Sequence, residues 1–312
     1  MSKMIATRDA YGEALAELGA ENGNVVVLDA DLSGSTKTSG FAKKFPERFF
    51  NMGIAEANMI GTAAGLAAAG KIPFASTFAI FAVGRAWEQV RQSVAYPKAN
   101  VKIVATHSGI TVGEDGGSHQ SVEDMAIMRA VPNMTVIVPA DGIETKLAIR
   151  AAASFNGPVY VRLGRNKVPT LFGDDYNFTI GKGCQLRDGS DLTFVTTGMM
   201  TAQAIAAADI LATQGISARV VHIATIKPLD EELIIDAARE TGAIVTAEEH
   251  SVIGGLGGAV SELLCDRYPV PVKRVGIQDR FGLSGKAEDL VKYFGLLPEN
   301  LVEAAKEVLL KK

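Results

Sequence analysis
The chain has 312 residues, 47% of them hydrophobic and 21% charged, enough for two α/β cores and ordinary for a globular protein. Lys and Arg total 31 against 35 Asp and Glu, a net charge of -4, and no basic stripe gathers them, which argues against nucleic acid or an anionic membrane surface as partner. No apolar segment reaches the ~20 residues of a membrane span, no signal-peptide stretch opens the chain, and the distant Cys184 and Cys265 read as reduced thiols of a cytoplasmic protein.

Strand and helix patterns alternate from the start. A helix is expected near Asp9–Leu18. The turn residues Glu21-Asn22-Gly23-Asn24 then lead to Val25–Leu28, a short β-branched run of the kind a buried parallel strand presents. An alanine-rich helix follows from Ala55 to Ala69, with Gly70 placed to end it. Ile72–Ser76, Val101–Thr106, Thr135–Val138 and Val159–Leu163 read as further strands, with helical spacing over Gly84–Val94 and Ile143–Ala153. Lys167–Asp191 is crowded with Gly, Pro and Asp and reads as a linker. A second series then begins, with strands at Leu192–Thr196, Ala218–His222, Ala243–Ala247 and Val272–Val275. Helices are expected near Ala202–Thr213, Asp230–Arg239 and Gly257–Cys265. The expected fold is α/β, two domains, each a mostly parallel sheet flanked by helices: residues 1–170, a linker at 171–190, and residues 191–312.

Ligands of open α/β sheets sit at the carboxyl ends of the strands. Three unusual stretches fall there in the first domain: Asp29–Lys37, Thr77–Phe81 and His107–Gln120. Glu56 stands in a mostly apolar segment at a helix start, so it must be exposed, paired or protonated. Favourable exposure at the helix N-terminus is its plainest explanation. Phe78 and Phe81 lie three apart in a chain with only 6% aromatic residues, and core packing alone would explain them. His107 and His119 bracket a glycine-rich loop that also holds Asp115, a grouping suited to hydroxyl recognition or proton transfer. Their spacing, with no cysteine nearby, does not suit zinc. Gly254-Gly255-Leu256-Gly257-Gly258 departs from GxGxxG and reads as a tight turn admitting a helix.

The strings Gly53-Ile54-Ala55-Glu56-Ala57-Asn58-Met59, Ser76-Thr77-Phe78-Ala79-Ile80-Phe81 and Thr106-His107-Ser108-Gly109-Ile110-Thr111-Val112-Gly113-Glu114-Asp115-Gly116-Gly117-Ser118-His119-Gln120 together resemble the transketolase family, and the resemblance covers nearly the whole chain. It implies a pyrimidine-binding domain followed by a transketolase C-terminal domain, and thiamine diphosphate as cofactor. In that family a glutamate at the position of Glu56 hydrogen-bonds N1′ of the aminopyrimidine and favours the tautomer that acts as internal base. Phe78 and Phe81 match the rings that shield it, and Asp31, in Asp29-Ala30-Asp31-Leu32, matches a position near the cofactor and subunit interface. His107, His119 and Asp115 match residues that contact sugar hydroxyls. Arg8 and Arg165 match phosphate-binding arginines, with Ser35 as an added donor and Arg162 as a competitor for Arg165. Glu248-Glu249-His250 resembles the family's C-terminal domain, where a structural or interface role is expected.

The resemblance also shows a gap. These enzymes grip the diphosphate through Mg2+ or Ca2+ held by a Gly-Asp-Gly motif, and the nearest string here, Gly173-Asp174-Asp175, lacks the second glycine. It therefore implies an N-terminal transketolase subunit as partner, supplying the metal ligands in an assembly such as α2β2. The implied reaction moves a two-carbon ketol unit between sugar phosphates of the pentose phosphate pathway. A β subunit of a 2-oxo acid dehydrogenase's decarboxylating component has similar size and domain order, but the His107–Gly116 loop and Arg8 favour transketolase. Deoxyxylulose-phosphate synthase shares the architecture but is ordinarily one long chain and usually lacks a histidine at the place of His107. A non-catalytic scaffold would need none of Glu56, His107, Asp115 and His119 together.

Overall fold
The computed structural model describes residues 3–312. Its strands are β1 (Met4–Ala6), β2 (Val25–Asp29), β3 (Phe49–Asn51), β4 (Ile72–Phe78), β5 (Lys102–Thr106), β6 (Thr135–Ile137), β7 (Val159–Arg162) and β8 (Lys167–Pro169), then β9 (Cys184–Arg187), β10 (Leu192–Thr196), β11 (Ala218–His222), β12 (Thr225–Lys227), β13 (Ile244–Ser251) and β14 (Val272–Ile277). The first sheet has the order β12-β6-β7-β5-β4-β2-β3, parallel throughout except for β12. The second has the order β14-β13-β10-β11-β9, parallel except for β9. Helices cover both, so the parallel strands are buried on two faces: β2, β5 and β10 have no exposed residue. Each fully buried Val, Leu or Ile contributes roughly 1.5–3 kcal/mol of transfer free energy.

The longer strands lie within a residue or two of their expected places, except that β13 runs four residues past the expected Ala247. The sequence reading missed short ones, for physical reasons. β1 and β8 pair only with each other, antiparallel, and at three residues each they offer no period to read. β9 falls within the expected linker and joins the second sheet as an antiparallel edge, flanked by the glycines and aspartates that read as loop. The helical segment expected at Gly84–Val94 is broken: helices Ala79–Gly84 and Trp87–Gln89 are followed by a π-helical turn over Val90–Ala95. The Pro298–Leu309 helix went unread.

The two halves share more than a linker. β12, from the second half, extends the first sheet through β6. One apolar cluster runs continuously from Met59, Ile103 and Val136 of the first half to Ile223, Ile226 and Leu256 of the second. Polar groups reinforce the seam. His222 Nε2 lies 2.8 Å from Glu144 Oε2, both fully buried, while Tyr176 donates to Glu144 Oε1 at 2.7 Å. The carboxyl ends of β2, β4, β5 and β7 consequently form one fixed edge.

Candidate active site
At the end of β2 the buried Asp29 carboxylate accepts from the Leu32 amide at 2.6 Å and from the Thr36 and Thr38 hydroxyls at 2.6 and 2.8 Å. Burial raises its pKa, and these three donors oppose that rise. The bonds fold the following residues into a turn of helix, Ser33–Thr36, and bring two groups toward the first helix, Thr7–Glu21. The Ser35 carbonyl accepts from Arg8 Nη1 at 3.2 Å, and Lys37 Nζ lies 3.3 Å from Asp9. Ser35 thus meets Arg8 through its backbone.

β5 delivers His107, which is 2% exposed and has φ of 56°, uncommon for a residue with a side chain. Arg8 Nη1 is 2.9 Å from His107 Nε2, and Thr106 Oγ1 is 2.9 Å from Nδ1. A guanidinium only donates, so Nε2 is the acceptor and Nδ1–H donates to Thr106. Burial first, then the charges of Arg8, Arg165 and Lys37, push the His107 pKa down to about 3. The imidazole is neutral, and its tautomer is set by its neighbours.

The Phe78 ring stacks on His107 with centroids 3.8 Å apart, and lies 5.9 Å from Phe81 with the two planes within 11°. His119 meets Phe78 and Phe81 edge-on at 6.3 and 5.5 Å. Beyond Phe81 sits Arg85, 5.7 Å from the ring centroid and 3.9 Å from Glu56 Oε2. Glu56 opens the helix Glu56–Ala68 and is 4% exposed, so the sequence expectation of favourable exposure at a helix end is corrected. Arg85 is its one ion partner among the described residues. Glu56, Phe81, Phe78, His119, His107 and Arg8 therefore form one chain of neighbours along the sheet edge.

Other residues separate. Asp115 ends the helical turn Ile110–Asp115 and lies 3.8 Å from Arg165 Nη1, with Glu114 at 3.7 Å and the Val112 carbonyl as acceptor. Arg162 instead is 5% exposed. Its Nε donates to Asp124 at 2.8 Å and its Nη2 to the Glu249 carbonyl at 2.9 Å. Of the two arginines Arg165 is the more exposed, and its side-chain carboxylate partners Glu114 and Asp115 are themselves at the surface. Asp31 is exposed at the rim and is bonded to Asn51 Nδ2 at 2.9 Å, not to this group. No group of three or more His, Cys, Asp or Glu among the described residues is placed to hold a metal ion.

Sequence reasoning placed Asp29 and Lys37 in a stretch at the sheet edge without giving either a role, and missed Arg85. The Ser33, Ser35, Thr36 and Thr38 hydroxyls downstream of Asp29 were the available signal for a capped turn. Arg85 had none, because it stands in the turn after the helix Ala79–Gly84 and meets Glu56 only through the fold.

Family models agree with this architecture: the transketolase pyrimidine-binding domain matches residues 3–170 and the transketolase C-terminal domain matches residues 181–301. This chain belongs to the transketolase family. Among transketolase relatives, a chain of Methanocaldococcus jannaschii, provisionally described as a transketolase C-terminal section, is 56% identical over 97% of this chain and 96% of its own. The 6-deoxy-6-sulfo-D-fructose transketolase subunit of a Clostridium species is 46% identical, covering 98% and 95%. A solved structure described as a split gene transketolase, inactive β4 tetramer, superposes with a TM-score of 0.93 at 57% identity over 99% of each chain. Human transketolase is 37% identical over 98% of this chain but only 49% of its own length, so transketolases exist both as one long chain and as subunits of this size. No helix of the described residues is long and apolar enough to cross a membrane.

Proposed function
We propose that this chain is the C-terminal subunit of a split transketolase, moving a two-carbon ketol unit from a ketose phosphate to an aldose phosphate together with an N-terminal subunit. The observation that carries this reading is the single contact chain Glu56–Arg85–Phe81–His119–Phe78–His107–Arg8 at the carboxyl edge of the first sheet. Thiamine diphosphate, when bound, supplies the carbon nucleophile for breaking and remaking the carbon–carbon bond.

The residues fit that cofactor. Glu56 is a buried carboxylate whose described partner is an exposed guanidinium at 3.9 Å, so it can take a donor such as aminopyrimidine N1′ and share its proton. The near-parallel Phe78 and Phe81 rings offer an apolar wall that excludes water from it. Half-buried His119 is open to sugar hydroxyls, and neutral His107 would meet one by exchanging its Nε2 contact with Arg8, with Asp115 at the mouth and Asp31 on the rim toward the partner. Arg8 and Arg165, with Lys37 beside them and the Ser35 hydroxyl as a further donor, orient a terminal anion. Mg2+ or Ca2+ would bind the cofactor's diphosphate through ligands of the partner, in an α2β2 assembly in the cytoplasm.

The 46% relative acts, by its name, on a sulfonated sugar, and a 39% relative of Phocaeicola vulgatus is an apulose-4-phosphate transketolase subunit. A guanidinium pair accepts a sulfonate much as it accepts a phosphate. The terminal group of the substrate is accordingly an anion, while the pentose phosphate sugars are one choice among several.

The test compares this chain alone, and with its N-terminal subunit, for ketol transfer from xylulose 5-phosphate to ribose 5-phosphate, with 6-deoxy-6-sulfofructose as a second donor. Activity is expected only in the mixture, and Glu56→Ala should lower it by about 10²–10⁴-fold. Turnover by the chain alone would refute the partner requirement. A mixture that transfers no ketol unit but decarboxylates a 2-oxo acid would move the chain to the dehydrogenase class. Biological activity unaffected by Glu56→Ala would make it a scaffold.

A further inference from the structure
We propose that Glu249, on the C-terminal domain, is a positioning residue for the loop that carries His107, Asp115 and His119, and that holding this loop is that domain's task at the site. The role in turnover rests on the ketol-transfer reading above; the clamp itself does not.

β13 is the strand that does this. Its Glu248 stays within its own domain, accepting the Leu256 and Gly257 amides at 2.8 Å each and so capping the helix Leu256–Arg267. A Cβ on Gly255 would come within 2.0 Å of that carboxylate, which is why the turn there takes glycine. The next three residues all bond to the first domain. Glu249 Oε1 accepts the Thr111 amide at 2.8 Å, His250 Nε2 accepts the Ala126 amide at 3.3 Å, and the Ser251 amide donates to the Val122 carbonyl at 2.7 Å.

Glu249 differs from the other two because its side chain reaches the loop itself. It is 5% exposed and binds an amide of the helical turn that ends at Asp115. Gly109 passes so close, with φ of 74°, that a Cβ there would lie 2.3 Å from Glu249 Oε1. Arg162 grips the Glu249 carbonyl and the Asp124 carboxylate together, fixing the strand from which the Glu249 side chain projects. A second attachment lies at the far end of the loop. Gln120 Nε2 donates to the Leu283 carbonyl at 2.8 Å, and Ser284 Oγ donates to the Glu114 carbonyl at 2.6 Å. The substrate-side loop is thus anchored at both ends to the C-terminal domain. Glu56, Phe78 and Phe81 stand on other elements, outside this loop. Loosening Glu249 should disturb sugar binding and spare the cofactor.

The experiment pairs backbone hydrogen exchange on the full chain with kinetics of the reconstituted two-subunit complex, for Glu249→Ala, Glu249→Gln and Gly109→Ala. In Glu249→Ala the Thr111–Gln120 amides should exchange about tenfold faster or more, because a buried bond to a charged acceptor is lost. The KM for the ketose phosphate should rise by about tenfold, with the thiamine diphosphate Kd unchanged. Glu249→Gln keeps an acceptor oxygen and should restore both. Gly109→Ala, which pushes on the carboxylate without removing it, should reproduce the Ala phenotype, and serves if Glu249→Ala fails to fold. Unchanged exchange in Glu249→Ala would overturn the clamp, and so would a loosened loop with an unmoved KM. Cofactor affinity falling in step with KM would point to general disruption and overturn it too. A wild-type complex inactive on every sugar would defeat the functional reading, and the exchange arm would then decide the clamp by itself.

Discussion

At the scale of single residues, His107 shows how tightly this site prescribes protonation. Arg8 can only donate, so the imidazole must present a bare Nε2 and keep its proton on Nδ1. Burial and nearby cations hold the folded-state pKa at about 3, and burial likewise lowers that of His250 to about 4. The unfolded chain takes up these protons near pH 6.5, and the folded chain does not until much lower pH. The contribution of these two histidines to stability is therefore flat above 6.5 and falls as pH drops toward 4. The C2-proton resonances of His107 and His250 should stay fixed between pH 8 and 5 in an NMR titration. A His107 resonance moving with a midpoint near 6.5 would contradict the guanidinium contact.

Among the secondary-structure elements, Lys102 is the instructive case, because it lies far from the chemistry. It opens β5, fully buried, and donates to the Phe155 and Gly157 carbonyls at 2.6 and 2.8 Å and to Asn100 Oδ1 at 2.6 Å. The amine thereby holds the chain just after the helix Gly142–Ser154, at its C-cap Phe155 and two residues beyond. Burial drives its pKa down to about 7, while the three acceptors favour the charged form. Lys102→Met would leave buried carbonyls unpaired, and a loss of about 1–3 kcal/mol in urea unfolding is expected. No loss would mean that water replaces the amine. The elements also show where sequence was readable. The Glu231–Thr241 helix sits beside the expected Asp230–Arg239, with Asp230 as its side-chain cap. Three-residue strands such as β1 and β12 carried no period and went unread.

At the scale of the whole molecule, the two large sheets are joined into one body. β12 completes the first sheet from the second half, and the apolar cluster crosses the seam with Val136, Val138, Ile223 and Ile226. Cutting at the linker would bare the β6 edge and that apolar surface. Calorimetry of the full chain should give one transition, and residues 1–190 alone should show no cooperative melt. Two well-separated transitions in the intact chain would refute this coupling. The sequence by itself determined the alternation of strand and helix and the family, and put forward Glu56, Phe78, Phe81, His107 and His119 as candidates, because burial periodicity and motif spacing are local properties. Only the tertiary structure separated the environments of Arg162, which is buried, and Arg165, which is half-buried. β7 is buried on both faces, so no alternation marks which way its last arginine points, and the difference depends on Asp124 and on Glu249 from the other domain. The tautomer of His107 and the hold of Glu249 on Thr111 were hidden for the same reason: each joins residues about 100 or more positions apart, which no local pattern records.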